Sequence, residues 1–104
     1  MAEGMEHMEI RDQFLAILES GDVVELRRFL DDQNISDVAE LVNEFEEQET
    51  LIVSCMAMHR ASSVFKILDF PAQKRIIQTL APSKTAALLN ELPPDDRTDF
   101  LEEL

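Results

Sequence analysis

The fold of this chain is decided by residues 70–104, which read FPAQKRIIQTL (70–80), APSKTAALLNEL (81–92) and PPDDRTDFLEEL (93–104). Each unit places a proline near its start and a leucine at its end, and Pro71, Pro82 and Pro94 are spaced 11 and 12 residues apart. Proline suits the first turn of a helix, because the N–H that it lacks would have no intrahelical partner there. Each unit therefore predicts one short helix followed by a tight corner.

Helices this short are not stable alone and must stack on their neighbours, as the units of repeat proteins do. The same period extends upstream, with predicted helix starts near residues 23, 36, 47, 60, 71, 82 and 94 after a first helix over about 9–20. No stretch alternates apolar and polar residues as a strand would. The sequence thus predicts an all-α domain over residues 9–104, built as a stack of about seven or eight short helices, behind a disordered tail at residues 1–8.

Local signals place the helix ends and the core. Gly21 is expected to stop the first helix. Asp22 and Glu25 form a capping-box pattern for the second helix, and Ser36 is expected to cap the third. The residues predicted to be largely buried, because they recur at helical spacing in the proline-opened units, are Leu88, Leu89, Leu92, Phe100 and Leu101.

Composition restricts the possible functions. The 104 residues carry a net charge of −13, which argues against nucleic acid or anionic lipid as direct partners and permits cations. No apolar stretch approaches the roughly 20 residues that cross a bilayer, so direct membrane insertion is not expected. The single Cys55 makes neither an internal disulfide nor a zinc site and suggests a reducing compartment.

The charge is unevenly distributed along the chain. Residues 31–50 hold eight acids and no base, residues 60–84 hold five bases and one acid, and residues 85–104 hold six acids and one base. Such asymmetry can orient a partner domain. Alternatively, neighbouring helices pair their opposite charges within the domain.

The residues that could perform catalysis do not form a recognisable constellation. His7 lies in the predicted tail, and Cys55 precedes His59 by four residues. A Cys–His pair is conceivable there, but a buried thiol beside a surface histidine is the favoured interpretation. There is no glycine-rich phosphate loop, HExxH motif or EF-hand loop. The sequence therefore predicts that the domain is not an enzyme.

Asp95 and Asp99 are the candidate metal ligands. They lie four residues apart on the last predicted helix, so both carboxylates project from one face, which is expected to lie opposite Phe100 and Leu101. Paired exposed carboxylates can hold Mg²⁺, which prefers oxygen ligands and keeps several waters, although the spacing leaves Ca²⁺ open. Alternatively, Asp95 and Asp96 stabilise the N-terminus of this helix by interacting with the positive end of its dipole, and Asp99 is merely solvated.

The order of these motifs resembles the cytosolic N-terminal domain of MgtE-type magnesium transporters. The resemblance rests on the succession Leu88-Leu89, Leu92-Pro93-Pro94-Asp95-Asp96 and Asp99-Phe100-Leu101-Glu102-Glu103-Leu104, on Gly21-Asp22, and on Ser36-Asp37-Val38-Ala39-Glu40-Leu41. It implies a right-handed superhelix of short helices. Because the sequence ends on Leu104 without a helix stop signal, we expect an excised domain whose parent protein continues.

The resemblance also implies a function. The family's parent proteins carry a pair of CBS domains and a dimeric, membrane-embedded Mg²⁺ pore, with this domain on the cytoplasmic side. Mg²⁺ ions bridge acids across the interface between the N-terminal and CBS domains and favour the closed pore, and Asp95 and Asp99 match acids that help to bind those ions. A further family acid aligns near Ser63, which cannot supply a carboxylate. The alternative from another class is a helical protein-interaction module resembling flagellar motor switch protein domains.

Overall fold

The computed structural model describes residues 2–103, with side chains from Ile10 to Glu103. Over this range the chain forms eight α-helices and no strand, which confirms the all-α prediction. A single 3₁₀ turn at Glu46–Gln48 lies between the third and fourth helices. The helices are α1 (Ala2–Ser20), α2 (Val23–Asp32), α3 (Ile35–Glu44), α4 (Glu49–Cys55), α5 (Met58–Ile67), α6 (Phe70–Thr79), α7 (Pro82–Glu91) and α8 (Pro94–Glu103).

The helices pack in two alternating series. Helix α2 packs on α4 and α4 on α6, while α3 packs on α5 and α5 on α7. Each helix from α2 to α5 thus packs on the one after next, and this part of the chain passes back and forth between two rows. The result is an elongated stack of 44 × 27 × 20 Å. This arrangement is compatible with a superhelix, and its right-handedness stays a prediction.

Helix α1 begins at Ala2, earlier than the start near Glu9 predicted from the sequence. The disorder predicted for residues 1–8 stays a prediction, because the side-chain packing that would test it lies outside the described part of the chain. Met1 and Leu104 lie outside it entirely.

The residues that end or cap the first three helices can be compared with the sequence-based predictions. Gly21 adopts a φ of 73°, and its N–H contacts the carbonyls of Ile17 and Leu18, both at 3.2 Å, so it stops α1 as predicted. Asp22 caps α2 by accepting the N–H of Glu25 at 3.1 Å. The predicted cap at Ser36 is wrong, because Asn34 lies one residue before α3 begins and its Oδ1 accepts the N–H of Asp37 at 2.9 Å.

The hydrophobic core runs the length of the stack. Leu88, Leu92 and Phe100 are buried as predicted, and Leu89 is half-buried. Leu101 is 49% exposed, so its predicted burial is wrong. The reason is the rotation of α8, which packs through Phe100 onto α5 and α6 and leaves Leu101 directed away from them.

The uneven charge is partly paired inside the domain. The Arg60 guanidinium lies 3.7 Å from Asp31 and donates to the carbonyls of Leu30 and Gln33 at the end of α2. The Arg75 side chain contacts Glu49. Bases of segment 60–84 thus meet acids of segment 31–50 across the stack, as the internal-pairing interpretation predicts.

Candidate magnesium-binding face

Helix α8 carries the candidate metal ligands and is held by one aromatic anchor. The N–H of Arg97 donates to the carbonyl of Pro93 at 3.0 Å, which closes the first turn after Pro94. The Phe100 ring packs edge-on against Phe65, with ring centroids 5.4 Å apart, and lies 5.8 Å from Phe70. This anchor fixes the rotation of α8 and therefore the direction in which its acids point.

Asp95 and Asp99 are both exposed. At about 100° per residue, an arc of about 120° on α8 contains Asp95, Asp96, Asp99, Glu102 and Glu103. Among the side chains of residues 10–103, no salt bridge joins any of these acids to a lysine or arginine. The nearest basic residue in sequence, Arg97, turns back so that its Nη2 lies 3.4 Å from the carbonyl of Leu92. The acids of this face therefore have no ion-pair partner among the described side chains.

The position of Asp99 differs from the sequence-based expectation. Asp99 was expected opposite Phe100, but the two residues line the same groove between α5, α6 and α8. Asp95 does not line this groove, so the face runs from open solvent at Asp95 to the edge of an aromatic cleft at Asp99.

The face has the chemistry of part of a Mg²⁺ site. Mg²⁺ takes oxygen ligands and commonly binds through one or two carboxylates while keeping several waters. Within the described residues, no group of three or more His, Cys, Asp or Glu side chains is arranged to hold a metal ion. Within that part of the chain, Asp95 and Asp99 therefore do not belong to a complete ligand cage.

Ser63, the position near which a further family acid aligns, has a local structural role. It lies in α5, and its hydroxyl donates to the carbonyl of His59 at 3.1 Å. A serine engaged in this way offers a weak neutral oxygen, so it cannot replace a carboxylate in binding a cation.

Cys55 and His59, the residues considered for a catalytic pair, lie in different environments. Cys55 ends α4 and is half-buried, His59 lies exposed near the start of α5, and no hydrogen bond joins them among the described side chains. Burial raises the pKa of the Cys55 thiol, an effect that the nearby cations of Lys84 and Arg27 partly oppose. A raised pKa disfavours the thiolate, which is the nucleophilic form.

Comparison with known protein families shows to which family the chain belongs. The family model described as "MgtE intracellular N domain" matches residues 33–104, which is 72 of the 104 residues. The chain belongs to the MgtE intracellular N domain family. No curated protein matches the chain.

Membership confirms the recognition made from the motifs. The match includes α8 with Asp95 and Asp99, while α1 and α2, with the Gly21-Asp22 motif, precede it. It supports a regulatory domain of a magnesium transporter over the motor-switch alternative, and MgtE N domains are not a known enzyme family. None of the described helices combines the length and the apolar character needed to cross a membrane.

Two features of the structure could not be predicted from the sequence. The first is the contact between Glu49 and Arg75, whose residues lie 26 positions apart, with no local pattern to link them. The second is the aromatic cleft beside Asp99. Its only signal was that phenylalanines occur in α5, α6 and α8, and their meeting depends on how those helices stack.

Proposed function

We propose that this domain senses intracellular Mg²⁺ for an MgtE-type transporter, with Asp95 and Asp99 as its contribution to a regulatory Mg²⁺ site. The site is completed by acids of CBS domains in the same polypeptide. The domain lies on the cytoplasmic side of the membrane, and the parent protein is a homodimer. One observation carries the proposal: two exposed carboxylates one turn apart on α8 have no basic partner among the side chains of residues 10–103.

The proposed mechanism follows from the charge of the face. Two acidic surfaces repel each other, and a divalent cation between them replaces repulsion with attraction. Mg²⁺ that binds only where both surfaces meet stabilises the compact arrangement and shifts the population toward it. When Mg²⁺ falls, repulsion separates the domains and the pore opens. Neither surface needs a complete ligand set, so the isolated domain binds Mg²⁺ weakly.

The decisive experiment uses the full-length transporter. Replacing both ligands with the neutral isostere (Asp95→Asn and Asp99→Asn) should weaken the protection by Mg²⁺ of the linkage between this domain and the CBS domains from protease. Transport should then remain active at higher Mg²⁺ concentrations than in the wild type.

A matched control is available within the domain. Glu40 and Glu44 are also exposed and four residues apart, on α3, and Glu44 is already paired with Arg11 at 3.0 Å. Their replacement with glutamine removes the same charge and should leave closure unchanged. If the Asp95/Asp99 variant closes at the wild-type Mg²⁺ concentration, or if both variants shift equally, the two aspartates have no specific regulatory role.

The isolated domain offers a second test. Backbone amide shifts recorded during a MgCl₂ titration should move at residues 95–99 with low affinity, and should move less around residues 40–44, where an arginine competes. Equal shifts at both places would indicate only a diffuse counterion atmosphere.

A further inference from the structure

A groove of about 330 Å³ lies between α5, α6 and α8. Its apolar floor and wall consist of Phe65, Phe70, Leu92 and Phe100. Phe65 and Phe100 are 1% and 5% exposed and form the floor, whereas Phe70 is half-buried and presents part of its ring to the opening. An apolar side chain placed here would contact aromatic rings on more than one side.

The groove is held open by fixed contacts. The Gln73 amide donates from α6 to the carbonyl of Phe65 in α5 at 2.8 Å, so the two helices that form one wall are hydrogen-bonded to each other. The Phe100 ring meets Phe65 at an interplanar angle of 70°, an edge-to-face geometry that favours this packing. These two contacts join the three helices that line the cleft.

The rim of the groove is acidic. Asp96, Asp99 and Glu103 follow one another at intervals of three and four residues along α8, and Lys66 is the one cation among the lining residues. None of the three acids forms a salt bridge among the described side chains. The rim therefore carries a net negative charge beside an apolar floor.

Another cavity with apolar and acidic lining residues, between α1 and the segment 43–48, provides a comparison. That cavity, of about 530 Å³, is lined by residues that include Leu15, Phe45 and Glu47. Its acids are partly neutralised, because Glu44 pairs with Arg11 at 3.0 Å and Glu46 lies 3.7 Å from Arg75. The aromatic groove lacks such pairing, so it is the better site for a cationic partner.

We propose that the aromatic groove docks a basic amphipathic protein segment. The segment inserts one large apolar side chain beside Phe70 and Phe100 and places lysine or arginine against Asp96, Asp99 and Glu103. The acidic rim repels nucleic acid, anionic lipid and acidic peptides, and the apolar floor favours a segment that can bury an apolar side chain there. The groove overlaps the proposed Mg²⁺ site at Asp99, whereas Asp96, Glu103 and Phe70 belong to the groove alone, so their replacement leaves both proposed Mg²⁺ ligands in place.

The test uses three synthetic peptides of equal length and the isotope-labelled 104-residue chain. The probe is a helix-forming peptide with a leucine face and a lysine face. One control peptide carries glutamate in place of lysine, and the other carries serine in place of leucine. The probe should shift backbone amides in residues 65–73 and 96–103, and each control peptide should bind at least about tenfold more weakly.

Variants of the chain separate the groove from general charge attraction. Asp96→Asn with Glu103→Gln should weaken binding of the probe by about tenfold, whereas Glu44→Gln with Glu47→Gln removes the same charge from the other cavity and should change it by less than about twofold. Phe70→Ser should also weaken binding, with circular dichroism to confirm the fold. Because Asp96 and Glu103 are exposed, their replacement tests the groove even if the Phe70 variant unfolds. Equal losses in both double variants, or shifts centred on the other cavity, would overturn the proposal.

Discussion

The carboxylate of Glu49 accepts two hydrogen bonds from the Arg75 guanidinium. Arg75 Nε lies 2.9 Å from Glu49 Oε2, and Nη2 lies 3.1 Å from Oε1. Glu49 is 6% exposed, so this bidentate pair links a buried acid at the start of α4 to the middle of α6. The contact raises the pKa of Arg75, which keeps its charge in any case. The pair therefore connects α4 to α6 in the middle of the stack.

Arg75→Leu should lower the urea midpoint of unfolding clearly, because it leaves the buried Glu49 carboxylate without its partner. Arg75→Lys should restore only part of the loss, since an ammonium cannot make the two parallel hydrogen bonds. Lys74→Ala, at an exposed neighbouring position, is the control and should change little. A midpoint for Arg75→Leu equal to that of Lys74→Ala would show that the pair contributes nothing to stability.

Leu88→Ala should destabilise the domain by about 2–5 kcal/mol, because Leu88 is 0% exposed and its truncation leaves a cavity. The matched control is Leu101→Ala in the next helix, which removes the same atoms from a side chain that is 49% exposed and should cost less than about 1 kcal/mol. Chemical denaturation of both variants measures the difference. Similar losses would mean that Leu101 is covered in solution, for example by self-association.

Helix starts that follow a proline or a glycine could be predicted well, because they depend on local chemistry. Proline fixes φ in the first turn of α7 and α8, and glycine supplies the left-handed residue after α1. Predicted starts near residues 23, 82 and 94 agree with Val23, Pro82 and Pro94. These signals act within a few residues, so no knowledge of the stack is needed to read them.

Which side chains of α8 are buried and which are exposed could not be predicted from the sequence alone. Leu101 and Phe100 are both apolar, and periodicity cannot tell which of them the stack covers. The answer depends on how α8 rotates when Phe100 packs on Phe65 and Phe70, which are far away in sequence. The same rotation brings Asp99 to the edge of the groove. The metal-ligand roles of Asp95 and Asp99 remain a prediction.

Gly21→Ala should destabilise the domain by about 1–2 kcal/mol, measured by thermal or chemical unfolding. The backbone at Gly21 has a φ of 73°, a left-handed conformation that disfavours a Cβ. Apart from the two neighbouring residues, no atom lies within 4 Å of the position that a Cβ would take, so the expected cost comes from the local backbone conformation and not from tertiary packing. Gly21→Asn should cost less, because asparagine adopts this conformation more readily. Equal costs for both variants would contradict this explanation.

Cys55 should react slowly with a thiol reagent in the folded domain. Burial raises the pKa of its thiol above that of the unfolded chain, which is about 8.5. At about pH 8 the folded chain therefore holds less thiolate than the unfolded chain. Because the folded state keeps this proton to higher pH, the contribution to stability is present below the unfolded pKa and is lost as pH rises through the folded pKa.

Lys84→Ala should slow the reaction further, since the Lys84 cation lowers the pKa of the thiol, whereas Lys74→Ala should leave the rate unchanged. Rates measured with a chromogenic disulfide, with and without urea, test this; a folded rate equal to the unfolded one would show that the thiol is not shielded by the core.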